Sequence, residues 1–154
     1  MADQKPPRRA GDERATLLGL LQYQRESLVR KVDGVSEEAA RWSPVPSGTS
    51  LLWLATHMAG AERTWVLERF AGLEDEGAGA PATVAEALAL YRRTWERVDD
   101  ALSGAPSLDE RCRCPGEGAP VDLRWVLAHL LEETARHAGH ADILRELIDG
   151  ATGR

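Results

Sequence analysis

The chain has 154 residues and a formal net charge of −6, with 43% hydrophobic and 29% charged residues. These values are typical of one soluble globular domain that is long enough to bury a core. The acidic balance argues against a nucleic-acid-binding protein, which usually has a basic face. No apolar run approaches the roughly 18 residues that a membrane span needs. We therefore expect a cytoplasmic protein without nucleic-acid or membrane partners.

The first 11 residues predict a disordered leader, because their prolines and charges leave little to bury. The leader contains no apolar stretch, so we do not expect a secretory signal. Residues 12–150 form the predicted folded domain. Its first helix covers about residues 12–33 and has apolar side chains near one face: Leu17, Leu21, Leu28, Val32 and Val35.

Two prolines and a glycine interrupt the chain in WSPVPSGTS, after which Thr49 or Ser50 can cap a second helix over about residues 50–71. Its apolar positions recur at three- and four-residue steps: Leu51, Leu54, Met58, Ala61 and Trp65. The acidic, glycine-rich connector GLEDEGAGAPAT leads to a third helix over about residues 83–103. That helix has the most regular pattern, with Val84, Leu88, Tyr91, Trp95, Val98 and Leu102.

A second connector, GAPSLDERCRCPGEGAP, contains both cysteines of the chain, Cys112 and Cys114. A separation of one residue is unfavourable for a disulfide, so we interpret them as two loop thiols. The fourth predicted helix, about residues 121–149, repeats at Leu123, Leu127, Leu130, Thr134, His137, Ala141, Leu144 and Ile148. Four amphipathic helices and no convincing strand predict an all-α four-helix bundle, and the long connectors allow one crossover connection.

His137 occupies a core position of the fourth predicted helix, and this is the first indication of a functional site. Glu133 and His137 are four residues apart, about 6 Å along the axis, so both side chains can reach one point. An imidazole and a carboxylate together are common ligands of divalent metal ions. His57 is the only histidine outside the fourth helix and is the candidate third ligand. Three protein ligands leave one position open, as in catalytic rather than structural metal sites.

The remaining histidines offer alternatives. His129 is eight residues from His137, about 12 Å along the helix, and cannot share a site with it. His137 and His140 are three residues apart and could chelate a metal together, with Glu133 in an outer position. An alternative without a metal is also open, because a buried histidine is more often a hydrogen-bonded core residue than a ligand.

The segments TSLLWLATHMAGAERTWV and VLAHLLEETARHAGHADILRELIDG resemble the DinB-like superfamily of metal-binding four-helix bundles. The resemblance covers about residues 15–150. It is closest to the branch of mycothiol-dependent S-transferases and the N-terminal domain of mycothiol-dependent maleylpyruvate isomerase. It implies that His57 and His137 are metal ligands and that Glu133 replaces the middle histidine of the superfamily, as in the isomerase-like branch. His140 lies at a glutamine-like position beside the site and is the catalytic candidate, which would orient a ligand or relay a proton.

The isomerases carry a second domain for which 154 residues leave no room, so we favour a transferase. The leading hypothesis is an S-transferase that activates a low-molecular-weight thiol such as mycothiol for attack on an electrophile. Its divalent cation would be Zn²⁺ first, with Ni²⁺, Fe²⁺ and Mn²⁺ as alternatives. The second hypothesis is a metal-dependent hydrolase, and the third is a non-catalytic bundle that binds a metal or a partner. The resemblance also allows a homodimer.

Overall fold

The computed structural model describes residues 4–8, 10–74, 79–114, 116 and 118–153. Within these ranges the chain forms five α-helices and no strand; the helices are α1 (Glu13–Val32), α2 (Glu37–Arg41), α3 (Leu51–Glu62), α4 (Val84–Ser103) and α5 (Leu123–Asp149). Arg63–Phe70 continues α3 as a π-helix, which we call the π segment. The predicted all-α bundle is confirmed. No helix of the described ranges combines the length and apolar character needed to cross a membrane.

The long helices begin where the sequence supplies a capping side chain. The side chains of Asp12, Ser50, Thr83 and Asp122 each accept a hydrogen bond from a backbone N–H in the first turn of α1, α3, α4 and α5. At its other end α5 stops at Gly150, which has a left-handed backbone with φ of 75°. These local signals explain why the predicted helix boundaries lie close to the observed ones.

Two helical features were not expected from the sequence. The short helix α2 begins at Ser36, whose side chain accepts a hydrogen bond from the Ala39 N–H. Its five residues are too few to show a helical period. The second feature is the π segment, which the sequence analysis assigned to an ordinary α-helix. Its wider hydrogen bonding is visible where the Ala71 N–H donates to the Val66 carbonyl, five residues earlier.

The buried apolar side chains form two clusters along the bundle. One joins α1, α2, α3, α4 and the C-terminal half of α5, and includes Leu28, Leu51, Leu54, Met58, Tyr91 and Ala141. The other joins the π segment to the N-terminal half of α5, and includes Leu21, Val66, Phe70, Leu102, Leu123 and Leu130. Most predicted inward positions belong to these clusters, whereas Leu17, Val35, Ala61, Trp65, Trp95 and Ile148 are only partly buried at their edges.

Arg25 and Glu62 form a buried ion pair. Each of them lies, along the chain, between a residue of one cluster and a residue of the other. The Arg25 guanidinium of α1 donates from Nε and Nη2 to the two carboxylate oxygens of Glu62, at 2.9 and 2.5 Å. Arg25 Nη1 also donates to Asp99 on α4, at 3.0 Å. Burial alone would lower the pKa of Arg25, but the two carboxylates hold it above its ordinary value. The contacts of Arg25 therefore join α1 to both α3 and α4.

Candidate metal centre

Two histidines from different helices approach the same carboxylate oxygen. The Nε2 atoms of His57 on α3 and His137 on α5 lie 3.1 and 3.2 Å from Glu133 Oε1. One potential ligand atom from each of the three side chains lies within 4.8 Å of the others. The sequence predicted that these three side chains meet, and the structure brings them together.

The helices hold these side chains at the edge of the core rather than inside it. Leu54 and Met58, which flank His57 in sequence, are fully buried and fix this part of α3 in the bundle. The side chains of His57, Glu133 and His137 keep 33%, 21% and 11% of their surface exposed. The site is therefore anchored on its core side and open to solvent on the other.

Burial and mutual contacts set the charges of the site. Burial lowers the pKa of His137, as does the neighbouring His57, and Glu133 offsets this only in part. Burial alone would raise the pKa of Glu133, but its hydrogen bonds and charge interactions with the two histidines bring it below the ordinary value. These interactions favour a neutral His137 and an ionised Glu133, the forms in which these groups bind metals.

The donor set suits a divalent transition metal. Two imidazole nitrogens and a carboxylate oxygen are common ligands of Zn²⁺ and of similar ions, and three protein ligands leave room for one more. To serve as a ligand, His137 must present the lone pair of Nε2 and carry its proton on Nδ1. His140 Nδ1 lies 3.3 Å from His137 Nδ1 and can accept that proton in a hydrogen bond. In this arrangement His140 orients His137 and is not itself a ligand.

Trp53 covers one side of the site. Its ring stacks on the His57 imidazole at 4.6 Å between centroids and 8° between planes, and it meets His137 edge-on at 5.9 Å. Trp53 is 45% exposed, so it is a wall of the site rather than a core residue. The sequence analysis did not single it out. Its position four residues before His57 places the two side chains side by side on α3, but this spacing alone does not distinguish a wall of the site from core packing.

His129 belongs to a second group of rings, away from the three candidate ligands. It stacks on Trp125 at 4.9 Å and meets Trp65 edge-on at 4.8 Å, and the two tryptophans are 5.0 Å apart. We call Trp65, Trp125 and His129 the aromatic shelf. The Arg69 guanidinium lies 4.2 Å above the Trp65 ring. His129, which the helical spacing excludes from the site of His137, thus packs against tryptophans instead.

Both cysteines are free thiols, Cys112 buried and Cys114 exposed. Burial raises the pKa of Cys112, so it is poorly suited to act as a nucleophile. The Cys114 N–H donates to the Arg69 carbonyl at 2.8 Å, which ties this connector to the end of the π segment. These contacts give the connector a structural role.

Comparison with known proteins agrees with this geometry. The family model described as mycothiol-S-transferase matches residues 16–150. A DinB-like protein from Bacillus cereus ATCC 10987 is 21% identical with a TM-score of 0.68, and the match covers 87% of this chain and 96% of that one. A conserved protein from Enterococcus faecalis is 18% identical with a TM-score of 0.66, over 92% of this chain and 100% of that one. At these identities the two structures show the shared fold alone.

No protein with a curated description matches the chain. The family match begins within α1 and ends just after α5, so it includes most of α1, all of the later helices and all three residues of the candidate metal centre. The resemblance to the mycothiol-dependent branch of the DinB-like bundles is confirmed: the chain belongs to the mycothiol-S-transferase family.

Proposed function

We propose that this protein is a divalent-metal-dependent S-transferase that joins the sulfur of mycothiol, or of a closely related small thiol, to an electrophilic carbon. The observation that carries the proposal is the convergence of His57, Glu133 and His137 at a point open to solvent, in a chain of this family. We assign Zn²⁺ as the preferred ion, with Ni²⁺, Fe²⁺ and Mn²⁺ as alternatives.

The charges of the donor set support this chemistry. A bound cation lowers the pKa of a thiol, about 8.5 when free, so that the nucleophilic thiolate exists near neutral pH. Two neutral imidazoles and one carboxylate offset only one charge of a divalent ion. The site therefore keeps a net positive charge, which favours an anionic sulfur over a neutral one.

The residues around the donors have separate tasks in this proposal. His140 fixes the proton of His137 on Nδ1, and its own exposed ring can pass the thiol proton to solvent. Trp53 keeps water from one side of the site and holds the His57 ring in place. The reaction forms a sulfur–carbon bond, breaks the bond from that carbon to its leaving group, and releases the thiol proton.

Metal analysis tests the donor set directly. We expect the purified protein to contain about one divalent ion per chain, and the His57→Ala variant to lose most of it because one of three ligands is gone. The matched control is His129→Ala, which removes an imidazole of the aromatic shelf and should leave the metal content unchanged. Full metal content in His57→Ala would contradict the assignment.

Turnover is tested with mycothiol and monochlorobimane, a fluorogenic electrophile. The wild-type protein should form the conjugate, and His137→Ala should not, even with metal added back. Product formation from other substrates without any thiol would favour metal-dependent hydrolysis instead. A protein that binds metal but catalyses neither reaction would be a non-catalytic binding bundle. The cytoplasmic location and the homodimer expected from the sequence stay predictions.

A further inference from the structure

We infer that the aromatic shelf binds the sugar portion of the thiol substrate while its sulfur lies at the candidate metal centre. This inference rests on the proposed function and adds a specific binding surface to it. The shelf is a separate group of rings from the candidate ligands; Trp65 packs partly against the core, whereas Trp125 is 44% exposed.

The shelf lies on a slanted face of α5 that also carries the candidate ligands, because each four-residue step turns by about 40° around the helix axis. Trp125, His129, Glu133 and His137 follow one another at intervals of four residues. On an α-helix this spacing places His129 about 6 Å and Trp125 about 12 Å from Glu133 along the axis. A ligand that extends one to two helical turns from the metal along this face reaches the shelf.

The π segment supplies the other half of the shelf. It follows α3 directly, so His57 and Trp65 lie on one continuous helical rod. Trp65 contacts both Trp125 and His129, and the Arg69 guanidinium lies over its ring. Widened helical turns of this kind are frequent at functional sites, where they reposition side chains.

The surface of the shelf has the chemistry of a sugar-binding site. Trp125 is 44% exposed although it stacks on His129, so part of its aromatic ring faces solvent. Such a surface can receive the C–H face of a sugar ring, because the aromatic face carries partial negative charge. The shelf also has polar neighbours for hydroxyl groups: Arg69 beside Trp65, and Glu132, with an oxygen 3.9 Å from His129 Nδ1.

Mycothiol fits this arrangement of sites. Its sulfur belongs to a cysteinyl group that an amide joins to a two-ring unit of glucosamine and inositol, so only a short linker separates sulfur from rings. The rings are neutral and rich in hydroxyl groups. A small thiol without sugars would engage the metal centre alone. The shelf would thus select mycothiol among thiols rather than drive the chemistry.

The test uses Trp125→Ala, with Trp42→Ala as the matched control. Trp42 is 43% exposed, close to the value for Trp125, but it follows α2 directly and is not part of the aromatic shelf. Binding of glucosaminyl-inositol, the sugar unit without cysteine, is measured by calorimetry on the full chain. We expect binding to the wild type, a loss of roughly three- to tenfold in affinity for Trp125→Ala, and no change for Trp42→Ala.

Kinetics with two thiols gives an independent readout. Trp125→Ala should raise KM for mycothiol by the same factor and leave kcat, as well as KM for N-acetylcysteine, unchanged. Trp125→Phe should restore most of the affinity, which guards against a general loss of folding. Equal effects on both thiols, no sugar binding by the wild type, or a changed KM for the electrophile alone would each overturn the inference.

The two proposals fail in different ways. A protein that binds the sugar unit but conjugates no thiol would lose the proposed activity and keep the shelf as a sugar site. A protein that conjugates mycothiol and N-acetylcysteine alike, with or without Trp125, would keep the activity and lose the inference.

Discussion

At the scale of single residues, Glu133 Oε1 joins the two helices that build the site. Both Nε2 atoms lie within 3.2 Å of it, so the three side chains hold one another close together without a cation having to gather them. Preorganisation of this kind reduces the ordering cost of binding. His140 Nδ1 lies 3.3 Å from His137 Nδ1, so we expect His140 to help orient the His137 ring, and this can be measured.

We expect His140→Ala to weaken metal affinity by about 10- to 100-fold, because the removal of a partner that orients a ligand typically has this effect. His140→Gln should retain more affinity, since its side-chain oxygen can still accept a proton from His137. Affinity is measured by competition with a chromogenic chelator, with His129→Ala as the control. Unchanged affinity in His140→Ala would remove His140 from the site.

The residues of the site were only partly predictable from the sequence. Glu133 and His137 could be grouped because they are four residues apart on one predicted helix, and His57 was added as the only histidine outside that helix. Trp53 and the aromatic shelf could not be recognised in the same way. A tryptophan at a helical interval usually indicates core packing, and whether its ring is exposed depends on how neighbouring helices dock.

At the scale of secondary-structure elements, the cap of α5 is important because this helix carries Trp125, Glu133 and His137. Asp122 accepts a hydrogen bond from the Trp125 N–H at 2.9 Å. We expect Asp122→Ala to lower the free energy of unfolding by about 1 kcal/mol. Asp122→Asn keeps a good cap and should cost much less. Urea denaturation of the three proteins provides the comparison, and equal losses in both variants would show that the cap is not the cause.

The elements themselves differ in how well the sequence predicts them. The starts of α1, α3, α4 and α5 coincide with side chains that cap helices, and such interactions involve only neighbouring residues. The π segment has no comparable local signal. Its residues Val66, Leu67 and Phe70 are buried against other helices, and these contacts exist only in the folded bundle. Tertiary packing therefore decides this conformation.

At the scale of the whole molecule, the buried ion pair of Arg25 and Glu62 joins α1 to α3. We expect Glu62→Gln to destabilise the protein by about 3–5 kcal/mol, because the exposed carboxylate of Asp99 is then the negative charge left beside the buried guanidinium. The double variant Arg25→Met/Glu62→Leu removes both charges and should be close to the wild type in stability. Chemical denaturation measures both; a double variant as unstable as the single one would contradict this account.

The π segment also has a consequence for how this chain tolerates changes in length. Its widened turns accommodate more residues per revolution than an α-helix does. Deleting one residue between 63 and 70 would permit ordinary α-helical pitch there. The tighter pitch turns each remaining residue further about the axis, which offsets much of the roughly 100° by which a deletion within an α-helix rotates everything downstream. This segment should therefore tolerate a one-residue deletion better than α4 or α5 does.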